Sequence, residues 1–427
     1  MATIEIKNIG PIKDTGQIEL NSLNVFMGVQ SSGKSTIAKI ISHCLWVEKE
    51  VATQQSVEAY RDNRQLFKIQ LEQFHHLLGY FYPDSYVCYV SETVKIIWEK
   101  QKCEIELAEQ HLHYQRSKIA YIPSERNMVV LSAVRKVEFG NTNIRSFLFD
   151  WFEARKYYSK GERLDLLNLK VAYYYTANSN DEDRIGGVGE DGRNYELSLS
   201  NASSGLQALT PLLVMTKYLS EQVYKEELTS YEQSEREKQL TQKLLTNIIE
   251  ARNSNETTKN DGWKTFLEIL SVYEKKFKPL LTHLFRTQNS QYIIEEPELN
   301  LFPATQRDLI YYLVKEALID EEEHKGTEQR VKAHNRLTIT THSPYVLYTL
   351  NNCMLAGGVY DRMSKDEQMR LACAKARIAP ERVSIYEIHD GRLRSIQKED
   401  GLIVDNYFDQ MMKELMDEYY LMLNYYE

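Results

Sequence analysis

Apolar and polar residues alternate at Ile4–Ile6 and again over Gln17-Ile18-Glu19-Leu20, and a third run, Leu23-Asn24-Val25-Phe26-Met27, leads straight into Gly28. A period of two predicts short strands, and Asn8-Ile9-Gly10-Pro11 is the turn signal between the first two. After the third run the period lengthens: Ile37, Ile40, Ile41, Cys44 and Leu45 recur at helical spacing. Far downstream, Tyr292-Ile293-Ile294 ends in Glu295-Glu296-Pro297-Glu298, and Leu337-Thr338-Ile339-Thr340-Thr341 ends in His342-Ser343-Pro344. Short apolar runs bounded in this way read as parallel strands buried on both faces. Residues 383–388 and 393–396 flank His389-Asp390-Gly391-Arg392, a hairpin signal. Strands interleaved with helical stretches predict an α/β protein.

Other stretches read differently. Residues 48–118 mix polar helical segments with a strand-like aromatic patch at residues 86–90, and are expected to be an insertion. Residues 216–285 are expected to form an inserted helical arm, rich in Glu, Lys, Gln and Ser up to residue 262, with Leu240, Leu244, Leu245, Ile248 and Ile249 as its apolar positions. Two helices sharing some 40 residues would reach only about 30 Å, so long coiled coils are excluded. A polar loop at 253–262 and the acidic run Glu321-Glu322-Glu323 are expected at the surface. From Tyr407 to the end, apolar and tyrosine residues at helical spacing predict a C-terminal helix within 401–427, expected to cover the chain's own sheet.

Composition narrows the class. The chain has 427 residues, 42% hydrophobic and 26% charged, as in an ordinary globular protein. No apolar run approaches the ~20 residues that span a membrane, and the first ten residues carry neither a basic leader nor an apolar core, so a cytoplasmic protein without membrane contact is expected. Five scattered cysteines without C-x-x-C spacing predict reduced thiols. A net charge of −9 argues against indiscriminate coating of DNA, although a local basic groove is compatible with it. The short basic cluster Lys275-Lys276-Phe277-Lys278 reads as a solvated helix face.

The strongest chemical signal is Gly28-Val29-Gln30-Ser31-Ser32-Gly33-Lys34-Ser35-Thr36, a complete G-x-x-x-x-G-K-[ST] match between a strand and a helix. Its glycines let backbone N–H groups turn inward around a phosphate, helped by the positive end of the helix dipole. Lys34 is placed to reach β- and γ-phosphates, and the Ser35 hydroxyl to bind Mg2+. A nucleotide and Mg2+ are therefore the expected ligands, and the loop alone fits kinases, GTPases and motor ATPases equally well. The acids after Ile294 would emerge at the C-terminal edge of their strand, where open α/β sheets bind ligands. There Glu295 is expected to hold Mg2+ through water and Glu296 to orient or deprotonate the attacking water. Adjacent strand residues point to opposite faces, so the two roles differ. His342 emerges at the same edge and is expected to hydrogen-bond the γ-phosphate. Asn201-Ala202-Ser203-Ser204-Gly205-Leu206-Gln207 precedes the apolar stretch Leu209, Leu212, Leu213, Met215, predicting a helix cap and a second anion-binding end.

Together these motifs resemble the ABC-type ATPase heads of the RecF, SMC and OLD-like group, over about residues 1–47, 119–215 and 290–400. Ser204-Gly205-Leu206-Gln207 matches that group's S-G-G-Q signature with Leu206 in place of a glycine, and Glu295 stands where an aspartate is usual. The stretches 294–298 and 341–344, with Tyr121-Ile122-Pro123-Ser124-Glu125-Arg126, look most like its OLD-like and AAA15-type branch. The resemblance implies a head formed by 1–47 and 119–400, with a P-loop sheet, flanking helices and an antiparallel β subdomain. It implies that Ser203, Ser204, Gly205 and Gln207 act on nucleotide held by another copy's loop, so that the chain pairs with itself as a homodimer or higher oligomer. Fewer than ninety residues follow His342, too few for the Toprim nuclease of OLD-type proteins. Heads without a nuclease resemble the ATPase partner of two-component antiphage systems of PARIS or Septu type, which implies a separate effector protein encoded nearby. Two other readings are a RecF-like DNA-repair or clamp ATPase with DNA as partner, and an assembly protein that binds ATP as a structural switch with negligible turnover.

Overall fold

The computed structural model of the protein describes residues 2–109, 111–131, 134, 140–177, 181–189, 192–225, 284, 286–319 and 335–426. Most of the expected arm, with its polar loop and the basic cluster at 275–278, lies outside these described residues, as does the acidic run at 321–323.

Among the described residues, one sheet of 11 strands organises the fold. Its parallel half contains, side by side, β14 (Val383–His389), β3 (Leu23–Gly28), β13 (Arg336–Thr341), β12 (Asn289–Glu295) and β7 (Ser117–Ile122). Every residue of β3 and β12 is buried, as the apolar runs require of strands covered on both faces. The antiparallel half is β6 (Lys102–Leu107), β5 (Val94–Glu99), β4 (Phe81–Val90), β1 (Ala2–Ile9) and β2 (Ile12–Leu20). The short β15 (Arg392–Ser395) is the hairpin partner of β14 and meets β2 at Arg392 and Asp14, joining the halves. Asp390 and Gly391 turn this hairpin with φ of 49° and 73°, the left-handed pair that a two-residue turn demands. A second, antiparallel sheet holds β8 (Leu164–Asp165), β9 (Val171–Thr176), β10 (Glu182–Val188) and β11 (Asn194–Ser198).

Helices fill both faces of the large sheet. On one side Leu23, Val25 and Met27 of β3 pack with α4 (Asn143–Ala154), α5 (Ser204–Lys217), α6 (Pro303–Leu318) and α7 (Pro344–Val359). On the other, Phe26 packs with α1 (Lys34–Gln54) and α3 (Leu66–His75), which follows the short α2 (Glu58–Asp62). The short α8 (Lys365–Arg370) and α9 (Tyr407–Leu423) complete the described helices. The protein is thus an α/β head with a P-loop sheet and an antiparallel β portion, and no described helix is long and apolar enough to cross a membrane.

Two details depart from the sequence reading. Residues 48–118 are continuous with the head: α1 runs to Gln54, and β4 pairs with β1 from Thr3–Val90 to Ile9–Phe81. The C-terminal helix does not cover the sheet: no residue of α9 is buried, and Met412, Leu415, Tyr419, Leu421 and Met422 are each more than half exposed. The physical reason is that both sheet faces are already packed by α1, α3 and α4–α7, so that α9 meets the core through Tyr407 and Phe408 at its start.

Candidate active site

The parallel register brings the sequence-predicted residues to one edge. Thr341 of β13 pairs with Met27 of β3, and Glu295 of β12 pairs with Thr340, so the loop after Gly28, His342 and the acids leave neighbouring strands at the same level. Ile294 pairs with Ile122 of β7, which places Pro123 and the residues after it beyond the acids.

The loop 28–36 is shaped by close approaches. Gly33 takes a φ of 107°, where a residue with a Cβ is strained, and a Cβ there would also lie 2.3 Å from Ile12 Cδ1, which would have to shift. Ser31 also takes a left-handed φ, 61°. Lys34 is buried, and its Nζ donates to the carbonyls of Gly28 and Val29, both at 2.9 Å. Burial lowers its pKa, opposed by the nearby Glu296 and Glu298 carboxylates. Gln30 and Ser31 are exposed, Thr36 is buried and Ser35 lies between.

At the acids the chain makes a strained turn. Glu296 has a left-handed φ of 43°, which for a residue with a Cβ costs on the order of 1–2 kcal/mol. Glu295 is buried and accepts a hydrogen bond from the Tyr121 hydroxyl. Glu296 points the other way: His342 Nδ1 lies 3.5 Å from Glu296 Oε1 and 3.7 Å from Glu298 Oε1. The close approach of Glu296 and His342 lowers the Glu296 pKa and raises that of His342, against the effect of partial burial on each. Glu298 fastens the edge by accepting from Thr341 Oγ1 at 2.7 Å and from the His342 backbone N–H at 2.8 Å.

Ser203 caps α5, accepting weakly from Leu206 N at 3.4 Å, and Ser203 and Ser204 are exposed. Gln207 is turned back to donate to the carbonyls of Ser200 and Ala202 at 2.9 and 3.0 Å. A Cβ on Gly205 would lie 2.9 Å from Asn300 O, so α5 starts against the chain that follows the acids. The structure thus assembles the loop, Glu296 and His342, and joins Gly205 to the far side of the acidic turn.

Three residues without an assigned role belong to this site. Glu298 braces His342, Tyr121 holds Glu295, and Arg126 binds the acidic turn through its backbone. Their signal lay in the stretches 121–126 and 294–298, but its meaning rests on partners up to 174 residues away.

The residues present fit a bound MgATP. Ser32 Oγ is buried without a protein partner. The α1 N-terminus has no side-chain cap and no acid in its first turn, leaving its N–H groups for an anion. Among the described residues no group of three or more His, Cys, Asp or Glu converges as a protein-only metal cage. Mg2+ would need no such cage if the Ser35 hydroxyl, phosphate oxygens and a water-bridged Glu295 were to hold it.

Neither a family model nor a curated protein matches the chain. Among solved structures it is similar to the SMC head bound to the C-winged helix domain of ScpA, at 10% identity and TM-score 0.38, over 93% of this chain and 97% of that one. It is similar to the SMC head domain from Thermotoga maritima at 9% identity and TM-score 0.35, over 95% and 98%. The recombination mediator protein RecF, in its RecF-ATPrS structure, is similar at 11% identity and TM-score 0.28, over 92% and 97%.

Proposed function

We propose that this chain is an ATP-hydrolysing head that binds MgATP at residues 28–36 and completes its site with a second copy of itself. The observation that carries the reading is the meeting of Lys34, Glu296 and His342 at one sheet edge, with an ion pair 3.5 Å long between the last two. Bound Mg2+ would offset charge on the β- and γ-phosphates. Lys34 binds the same phosphates. Glu296, kept ionised by His342, orients the attacking water and accepts its proton. His342, supported from behind by Glu298, donates to the γ-phosphate. Ser203, Ser204 and Gly205, exposed or partly exposed at the start of α5, face nucleotide on the other copy.

The finer role is that of a sensor or scaffold subunit in a bacterial antiphage system, oligomerising through its heads and controlling a separate effector protein. The motif resemblance supports it; the net charge of −9 argues only against indiscriminate coating of DNA and is compatible with the local basic groove of a clamp. The test is native mass spectrometry of the Glu296→Gln chain, co-expressed with its neighbouring genes in MgATP. An ATP-bound dimer or larger assembly with a neighbour in fixed ratio is expected. Unimpaired turnover in that variant would remove Glu296 from its role. Recovery of the ATP-bound dimer alone, with turnover of the unsubstituted chain stimulated by duplex DNA, would favour the clamp.

A further inference from the structure

Arg126 has no exposed surface. A guanidinium so placed is costly unless its N–H groups find acceptors. Among the described residues, its hydrogen-bond partners are backbone carbonyls. Nε donates to Ala208 O at 3.1 Å; Nη1 donates to Glu295 O at 2.9 Å and Pro123 O at 3.3 Å; Nη2 donates to Glu296 O at 2.8 Å and Pro297 O at 3.2 Å. Burial lowers its pKa to about 10, opposed by Glu298, Glu296, Glu295 and Glu125, so it stays charged at neutral pH.

An arginine kept only to neutralise these acids would take a carboxylate as its direct partner, the stronger and bidentate contact. This one reads backbone position instead. It grips three consecutive carbonyls across the turn at Glu296, where φ is 43°. Such strain persists only where the surroundings over-determine the backbone. Its remaining long-range bond goes to Ala208, the fifth residue of α5, the helix that starts at Ser204. The same helix start packs Gly205 against Asn300 O, so two contacts hold α5 to the segment that follows β12.

We propose that Arg126 is a positioning residue: it holds Glu296 in its hydrolytic geometry and locks the start of α5 to that turn, so the water-orienting acid and the surface offered to a second copy move together. This rests on the ATPase reading above.

Arg126→Lys keeps the charge but cannot span carbonyls on both segments, so it separates geometry from electrostatics. Its expected signature is unchanged MgATP affinity and KM, a kcat reduced by up to about a hundredfold, as misplacement of a reacting group by an ångström can produce, and no ATP-driven dimer when combined with Glu296→Gln. A folded Arg126→Lys chain with the parent kcat and normal ATP-driven dimerisation would overturn the proposal while leaving the ATPase reading intact. If the unsubstituted chain binds no MgATP, the reading itself falls and the proposal with it. Should Arg126→Lys fail to fold, amide exchange on the unsubstituted chain at monomeric concentration decides: MgADP is expected to slow exchange in residues 204–212 together with 295–300. Slowing in 295–300 alone would overturn the link to α5.

Discussion

At the residue scale, the site is organised around a glutamate in an unfavourable backbone conformation. Glu296 turns at φ 43° and thereby sends its carboxylate toward His342, whereas Glu295, one residue earlier, faces Tyr121. The pair has a definite pH window. His342, raised from 6.5, contributes fully below its ordinary pKa and loses its part as pH rises through the raised value. Glu296, lowered from 4.5, contributes above its ordinary pKa and loses its part as pH falls through the lowered value. The ion pair therefore exists between those two shifted values. Glu296→Gln removes the largest cause of the histidine's shift, so the His342 pKa is expected to fall toward 6.5 in an imidazole NMR titration. A pKa that stays put would mean that Glu298 alone sustains it.

At the scale of elements, α9 stands apart from the packed helices. Its start is anchored: Asn406 is buried, Asp409 accepts from the Tyr348 hydroxyl, and the Tyr407 N–H donates to Glu387 Oε1 at 2.8 Å. Beyond this anchor its side chains are largely exposed. Deleting residues 411–427 is therefore expected to change the melting temperature by no more than about 2 °C, because exposed positions contribute little to stability. A loss beyond about 5 °C in a thermal melt would show that the helix is covered by its own chain. Apolar and aromatic residues at helical spacing predict a helix here, and α9 spans Tyr407–Leu423, but such a pattern cannot say whether the surface it needs is already filled.

On the scale of the whole molecule, Lys34 sits inside one edge of the sheet while Ser203 and Ser204 lie exposed at the start of α5. If two copies share each nucleotide, Lys34→Ala and Ser204→Arg chains are each expected to be inactive, and their mixture to recover turnover at one composite site. Steady-state ATPase assays across mixing ratios test this, and no recovery at any ratio would exclude sharing between copies. A two-fold arrangement supplies the required geometry, since each copy then offers both surfaces.

By itself the sequence determined what is local in the chain. The strand–loop–helix around Gly28 to Thr36, the turn at Asp390-Gly391 and the buried run ending at Glu295 are each set by consecutive residues whose backbone preferences and burial agree. Tertiary structure alone decided what depends on distant partners. Arg126 meets Glu296 across 170 residues of sequence and Ala208 across 82, so its function is invisible in the stretch that carries it. β4, β5 and β6 extend the main sheet because β1 offered β4 an open edge, which nothing within residues 48–118 announces. Local preference is encoded residue by residue, whereas pairing, occupancy of a face and satisfaction of a buried charge exist only once the chain has folded back on itself.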